Sequence, residues 1–105
     1  MHETTLNGLQ RTIDRWIQDN GGYWDELSLL ARLTEEVGEL AREYNHAFGA
    51  KRKKASEPEG SIRGELADVL WLIICMANQQ EIDLEEAFEE VMTKLKVRDA
   101  GRFQD

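Results

Sequence analysis

The sequence predicts an all-α protein, an antiparallel helical bundle of about four helices completed by homo-oligomerisation. Three observations carry that prediction. Only one proline interrupts 105 residues, and the rest is rich in Glu, Leu, Ala, Lys and Arg, the strong helix formers. Apolar residues recur at three- and four-residue intervals in four separate stretches, the period of a helix with one buried face. The third stretch, Val69 to Ala77, is apolar nearly all round. One small protomer has too little mass to cover such a helix on every side, so further copies of the chain are expected to finish its core.

Taken in order, the first helix is expected where Leu6, Leu9, Ile13, Trp16 and Ile17 share a face, stopped by Asn20-Gly21-Gly22. The second runs from about Asp25 to Phe48, with Leu30, Leu33, Val37, Leu40, Tyr44 and Phe48 as its apolar stripe and Gly49 just past its end. Residues 49–61, GAKRKKASEPEGS, break the periodicity with Gly, Pro and a basic cluster and read as a loop. The third helix spans roughly Ile62 to Gln79 and is the central one. The fourth opens at DLEE, where Asp83 can cap and Glu86 stands at the capping-box position. Leu84, Phe88, Val91, Met92 and Leu95 form its apolar face. Short connections around Gly21-Gly22 and Ile82-Asp83 favour antiparallel neighbours, and residues 1–105 read as a single domain.

Composition narrows the function. A net charge of −8 argues against a role in binding nucleic-acid backbones. The single cysteine, Cys75, cannot form an internal disulfide and suits a reducing compartment; inside an apolar run it reads as a buried structural thiol. The N-terminus is polar, without the apolar segment of a secretory leader, and Val69 to Ala77 is too short to span a bilayer. A cytoplasmic protein with no membrane partner is expected.

The chemistry sits in two acidic pairs. LTEEVGEL, residues 33–40, places Glu35, Glu36 and Glu39 beside Leu33, Val37 and Leu40, and GELAD, residues 64–68, places Glu65 and Asp68 ahead of the apolar run. A spacing of three puts each pair on one helix face. A single such pair is ordinarily a solvated face. Two pairs on neighbouring helices, the second leading into buried sequence, can converge. Four converged carboxylates would repel one another and raise each other's pKa, a problem that Mg²⁺, or Mn²⁺ in its place, removes by taking oxygen ligands. Glu43 extends the first stripe and is expected at the surface.

EEVGE (Glu35–Glu39) followed by ELAD (Glu65–Asp68) resembles the EExxE…ExxD signature of MazG-type nucleotide pyrophosphohydrolases. The flanking text from about Leu29 to Phe103, including KVRDAGRF near the end, resembles the short single-domain members. The resemblance implies a Mg²⁺-dependent all-α enzyme that hydrolyses a nucleoside triphosphate to the monophosphate and pyrophosphate. By position, Glu36, Glu39, Glu65 and Asp68 match the metal-coordinating acids. Glu35 matches the first acid of the motif, a group behind the ligands or a water-orienting base. The resemblance also implies homodimers or homotetramers with sites close to subunit contacts.

A triphosphate carries more charge than metal ions neutralise, so basic residues should approach it. Lys51, Arg52, Lys53 and Lys54 form one cluster and Lys94, Arg98 and Arg102 another; solubility and helix C-terminal charge are their plainer explanations. Trp16 could stack on a base, although its place on the apolar stripe favours the core. Tyr23 and Trp24, after the glycine turn, are less constrained. Asn78 could bond a base or ribose or end the third helix. Trp71 reads as packing, and His46 as a helix-end charge.

The enzymatic alternative is a phosphoribosyl-ATP pyrophosphohydrolase with similar acids. A carboxylate-bridged di-iron bundle is disfavoured because the motif on the third helix is ExxD, not ExxH. A non-catalytic acidic helical module that binds a basic partner is the default if the acids point outward.

Overall fold

The computed structural model describes residues 5–50 and 60–99, which form four helices: α1 (Leu6–Asp19), α2 (Glu26–Phe48), α3 (Ile62–Gln79) and α4 (Leu84–Asp99). The all-α fold class is as expected, and α3 begins and ends where the sequence placed it. Lys51, Arg52, Lys53, Lys54 and Arg102 lie outside the described residues.

The helices start where side chains satisfy their first amides. Thr5 accepts from the Gly8 amide and Asp25 from that of Ser28. Ser61 accepts from the Gly64 amide, and Asp83 Oδ1 from the Glu86 amide at 3.0 Å. After α1 the chain reverses through Gly21 and Gly22, at φ 105° and 86°, a left-handed backbone that L side chains resist. The Gly22 amide still reaches back to the Ile17 carbonyl at 2.9 Å.

α2 and α3 make the most extensive contact and run antiparallel: Glu43 meets Gly60, Glu36 meets Glu65 and Asp68, and Leu29 packs with Leu72 and Cys75. α1 lies antiparallel on α3, with Gln10 against Asn78 and Trp16 against Trp71. α3 is therefore central. The core is Ile13, Leu29, Leu72, Ile74 and Cys75, with Leu9, Ile17, Leu33, Met76 and Leu84 packed around it. Cys75 is a free, buried thiol, as its setting in the apolar run implied.

The expected stripe on α2 needs correction. Its buried residues are Leu29, Glu36 and Glu43, with Leu33 and Leu40 half-buried between them. Leu30, Val37, Tyr44 and Phe48 are exposed. The face against α3 thus runs 29–33–36–40–43, and carboxylates occupy positions that apolar residues hold in a plain bundle. Glu43, expected at the surface, is only 6% exposed.

α4 touches the rest of the chain mainly at its start. The Asn7 amide donates to Glu85 Oε1 at 2.9 Å, and the Leu84 amide to Gln10 Oε1 at 3.0 Å. No residue of α4 is buried, and Phe88 and Val91 of its expected apolar face are exposed. The radius of gyration is 17.5 Å, against about 13 Å for a compact domain of about this length. Among the described residues, no helix is long and apolar enough to cross a membrane.

Candidate active site

The facing turns of α2 and α3 bring Glu36, Glu65 and Asp68 together, with one carboxylate oxygen from each within 4.8 Å of the others. The i, i+3 spacing on α3 aims Glu65 and Asp68 the same way, and the antiparallel pairing sets Glu36 opposite them. Glu36 is buried, Glu65 half-buried and Asp68 exposed, so the cluster grades from the helix interface to solvent. Burial pushes the Glu65 carboxyl up to about 7, aided by the adjacent Glu36 carboxyl and by the charges of Glu39 and Asp68. Glu39 thus acts on the cluster electrostatically from the next turn of α2.

The donor set fits a hard divalent cation. Glu36 Oε2 and Glu65 Oε2 are buried without a hydrogen-bond partner, an arrangement that costs about 1–3 kcal/mol or more per group unless something positive compensates it. Oxygens that all lie within 4.8 Å of one another can converge on one small ion by minor side-chain movement. Three carboxylates from two rigid helices, with no nitrogen or sulfur donor, suit Mg²⁺ or Mn²⁺.

Glu36 also meets a cation of the chain itself. Arg32, one turn earlier on α2, places Nη2 2.8 Å from Glu36 Oε1 and Nη1 3.3 Å from Glu35 Oε2. Glu35 lies on the exposed side of this fork and outside the carboxylate cluster. Its link to the cluster runs through Arg32.

A cavity of about 460 Å³ leads away from the acids. Its lining brings Glu36, Asp68 and Arg32 together with Trp16, Tyr23, Trp24 and Trp71, with Asn20 and Cys75 also on its surface. Trp16 and Trp71 meet edge to face, centroids 5.7 Å apart. Trp16 is 55% exposed and so is not a core residue. Its position on the stripe points it toward α3 but past the end of the covered core. Trp71 both packs on Trp16 and presents a face to the cavity. Gln79 Nε2 donates to the Trp24 carbonyl at 2.7 Å. The Tyr23 hydroxyl donates to Asp14 at 2.6 Å and accepts from Asn78 at 3.0 Å, and burial, then Asp14, raises its pKa.

Asn78 stands elsewhere. Its amide nitrogen donates to the Gln10 carbonyl and to Tyr23, its oxygen accepts from Gln10 Nε2 at 3.1 Å, and it borders a different cavity. It ties α1 to α3. Lys94 and Arg98 do not border the acid-and-aromatic cavity either: Lys94 lies among Glu86, Glu89 and Glu90, and Arg98 pairs with Asp99 at 3.0 Å.

Reading the sequence alone misses Arg32, although its i, i+4 relation to Glu36 is visible there, and underrates Trp71. It also passes over an ExxH, Glu43–His46. In the structure His46 Nδ1 lies 3.9 Å from Glu43 Oε1, and neither joins the three-carboxylate group. The di-iron reading therefore gains nothing from this pair.

Fold and site together define an all-α protein whose clustered carboxylates border an aromatic cavity. The MazG nucleotide pyrophosphohydrolase domain matches residues 25–103, and the chain belongs to that family. It is an enzyme, a hydrolase acting on nucleotides. It is 47% identical over 104 residues to the uncharacterized protein YpjD of Bacillus subtilis (strain 168), covering 98% of this chain and 94% of that one. The crystal structure of Bacillus subtilis YpjD superposes with a TM-score of 0.77 at 47% identity, covering 90% of this chain and 97% of that one. That of the Bacillus-conserved MazG protein, a nucleotide pyrophosphohydrolase, gives 0.75 at 46% identity, covering 90% and 93%.

Proposed function

We propose that the protein hydrolyses ribo- or deoxyribonucleoside triphosphates to the monophosphate and pyrophosphate with Mg²⁺, and so clears non-standard or surplus nucleotides. The observation that carries this reading is the junction of the two halves of the site. Three carboxylates converge, two of them with buried unpartnered oxygens, and two of the three, Glu36 and Asp68, line a cavity walled by four aromatic rings. Rings of that kind stack on a base, and acids of that kind hold metal-bound phosphates.

In this reading Glu36, Glu65 and Asp68 hold the ion, with Glu39 alongside. Bound Mg²⁺ supplies positive charge to the phosphate oxygens and acidifies the attacking water. The chain positions the rest. Trp16 and Trp71 fix the base and exclude water from it, so the triphosphate can extend only toward the acids. Glu65, whose carboxyl is held up to about 7, would hold the ion as the ionised carboxylate. Glu35 acts through Arg32 rather than on the water. Lys51, Arg52, Lys53, Lys54 and Arg102 remain candidates for phosphate contact on grounds of charge. Lys94 and Arg98 could reach a phosphate only from another copy of the chain. Such a copy is part of the proposal, since Leu66, Leu70 and Ile73 of α3 are left exposed by the protomer. A nucleotide substrate and the free thiol of Cys75 both fit a cytoplasmic enzyme.

Pyrophosphate release tests it, from a panel of ribo- and deoxyribonucleoside triphosphates together with phosphoribosyl-ATP, with and without Mg²⁺. Metal-dependent release that falls at least 100-fold in Asp68→Asn and Glu39→Gln is the expected result. Release from phosphoribosyl-ATP alone would move the substrate to that compound. Metal-independent release, or full activity in both variants, would overturn the site.

A further inference from the structure

Arg32 stands at the boundary between the two halves of the site, and its role so far is only to link Glu35 to Glu36. Its guanidinium borders the cavity that the aromatic rings wall. At the same time its Nη2 holds Glu36 Oε1 at 2.8 Å, the shortest ion pair formed by any acid of the cluster among the described residues. The two partners differ in environment. The Glu36 side chain is 5% exposed and that of Arg32 is 47% exposed, so Arg32 reaches inward from solvent while Glu36 has no freedom to turn outward.

Glu36 Oε1 is thus already occupied by a cation of the chain, while Glu36 Oε2 has no hydrogen-bond partner. If Glu36 held a divalent ion, the guanidinium at Oε1 would compete with it for the same carboxylate and would have to move aside. Arg32 is long and half in solvent, so its guanidinium regains water on leaving, but the pair it gives up with the buried Glu36 opposes the ion. The face it leaves toward is the cavity. A ligand with its base among the rings and its phosphates at the acids must run its sugar-proximal phosphate past this wall. A planar guanidinium binds phosphate oxygens in the same two-pronged way as a carboxylate.

We infer that Arg32 is an exchange partner: it holds Glu36 while the metal is absent, and on metal binding it transfers to the phosphate next to the nucleoside's sugar. Metal and nucleotide binding are thereby coupled, because each makes the partner that Arg32 needs for the other. This rests on the reading of Glu36 as a metal-binding acid, and it assigns a specific contact to a residue outside the acidic motif.

The inference requires opposite effects from one substitution. Calorimetric titration with Mn²⁺ and no nucleotide should show Arg32→Gln binding about tenfold tighter than wild type, since nothing is left to displace. Tryptophan fluorescence, reporting through Trp16 and Trp71, should show the same variant binding deoxynucleoside monophosphates in Mg²⁺ about tenfold more weakly, with binding of the parent deoxynucleosides unchanged. Arg42→Gln removes the same charge from α2, where Arg42 faces Glu43, and should alter neither quantity more than twofold. Arg32→Lys keeps the charge without the fork and should fall between wild type and Arg32→Gln in both titrations. Equal tightening by Arg32→Gln and Arg42→Gln would reduce the effect to general charge and overturn the exchange. So would unchanged monophosphate binding in Arg32→Gln. If neither wild type nor any variant took up Mn²⁺, the metal site itself would fall and the inference with it, a result distinct from failure of Arg32 alone.

Discussion

Glu65 carries a carboxyl that burial and three neighbouring acids push from 4.5 up to about 7. Because the folded state holds this proton more tightly than the unfolded chain, its contribution to stability is fully present below about pH 4.5. It is lost as pH rises through about 7. The metal-free protein should therefore show a melting temperature that declines between pH 5 and pH 8. Glu65→Gln should flatten that decline, because glutamine has no proton to lose. Saturating Mg²⁺ should reverse the slope, since the ion needs the carboxylate ionised. Melting curves at fixed ionic strength measure all three, and a wild-type decline that survives Glu65→Gln would place its origin elsewhere. Asn78 calls for a different expectation. Its side chain bonds Gln10 and Tyr23 and does not border the aromatic cavity. Asn78→Ala should cost about 2–3 kcal/mol by leaving part-buried partners unsatisfied, with KM changed less than threefold. A large KM effect without loss of stability would return Asn78 to the nucleotide.

The α2–α3 pair holds the site, and Gly60 lies close against the Glu43 carboxylate. A Cβ there would lie 2.6 Å from Glu43 Oε2, and the buried Glu43 side chain has little room to withdraw. Gly60→Ala should destabilise the fold by about 1–3 kcal/mol. Glu43→Ala removes the obstacle, so the double variant should be less destabilised than the sum of the two single ones. Urea denaturation gives the comparison, and strict additivity would show that the two residues do not meet. This contact also marks the limit of what the sequence makes legible. Helix boundaries could be read because Asp25, Asp83, Gly21 and Gly49 signal locally. The acidic pairs could be read because spacing on one helix fixes their common direction. The rotation of α2 could not, because Leu30, Val37 and Tyr44 repeat as regularly as Leu29, Glu36 and Glu43, and hydrophobicity alone favours the former as the buried set. Glu43 looked solvated for the same reason. Arg32 is legible as the i, i+4 partner of Glu36, but Trp71 and the aromatic cavity depend on how α1 crosses α3, which no local pattern encodes.

At the scale of the molecule, the surfaces left open by one chain form a pattern. On α2, Leu30, Val37 and Tyr44 follow each other every seven residues, and on α3, Leu66, Leu70 and Ile73 follow at intervals of four and three; all six are exposed. Stripes with those periods are the seams by which helices pack on other helices. α4 adds Phe88 and Val91, exposed on a helix that meets the rest of the protomer mainly at its first turn. A chain with these seams and a radius of gyration of 17.5 Å has not finished its own core. A second copy would supply the missing apolar surface, and burying it is worth about 25 cal/mol per Å². Light scattering of the wild type at micromolar concentration should accordingly give a dimer or tetramer of the 12.1 kDa chain. Tyr44→Asp and Leu70→Asp put a charge into each seam without touching the aromatic cavity. They should shift the mass toward the monomer and lower the melting temperature, whereas the wild-type melting temperature should rise with protein concentration, as mass action requires of an assembly that dissociates on unfolding. A wild type that remains at 12.1 kDa, with a melting temperature independent of concentration, would show that the open protomer is the working form. Lys94 and Arg98 would then have no route to the phosphates. An assembled wild type whose pyrophosphate release falls in step with dissociation in both variants would show that the site itself is completed across the seam.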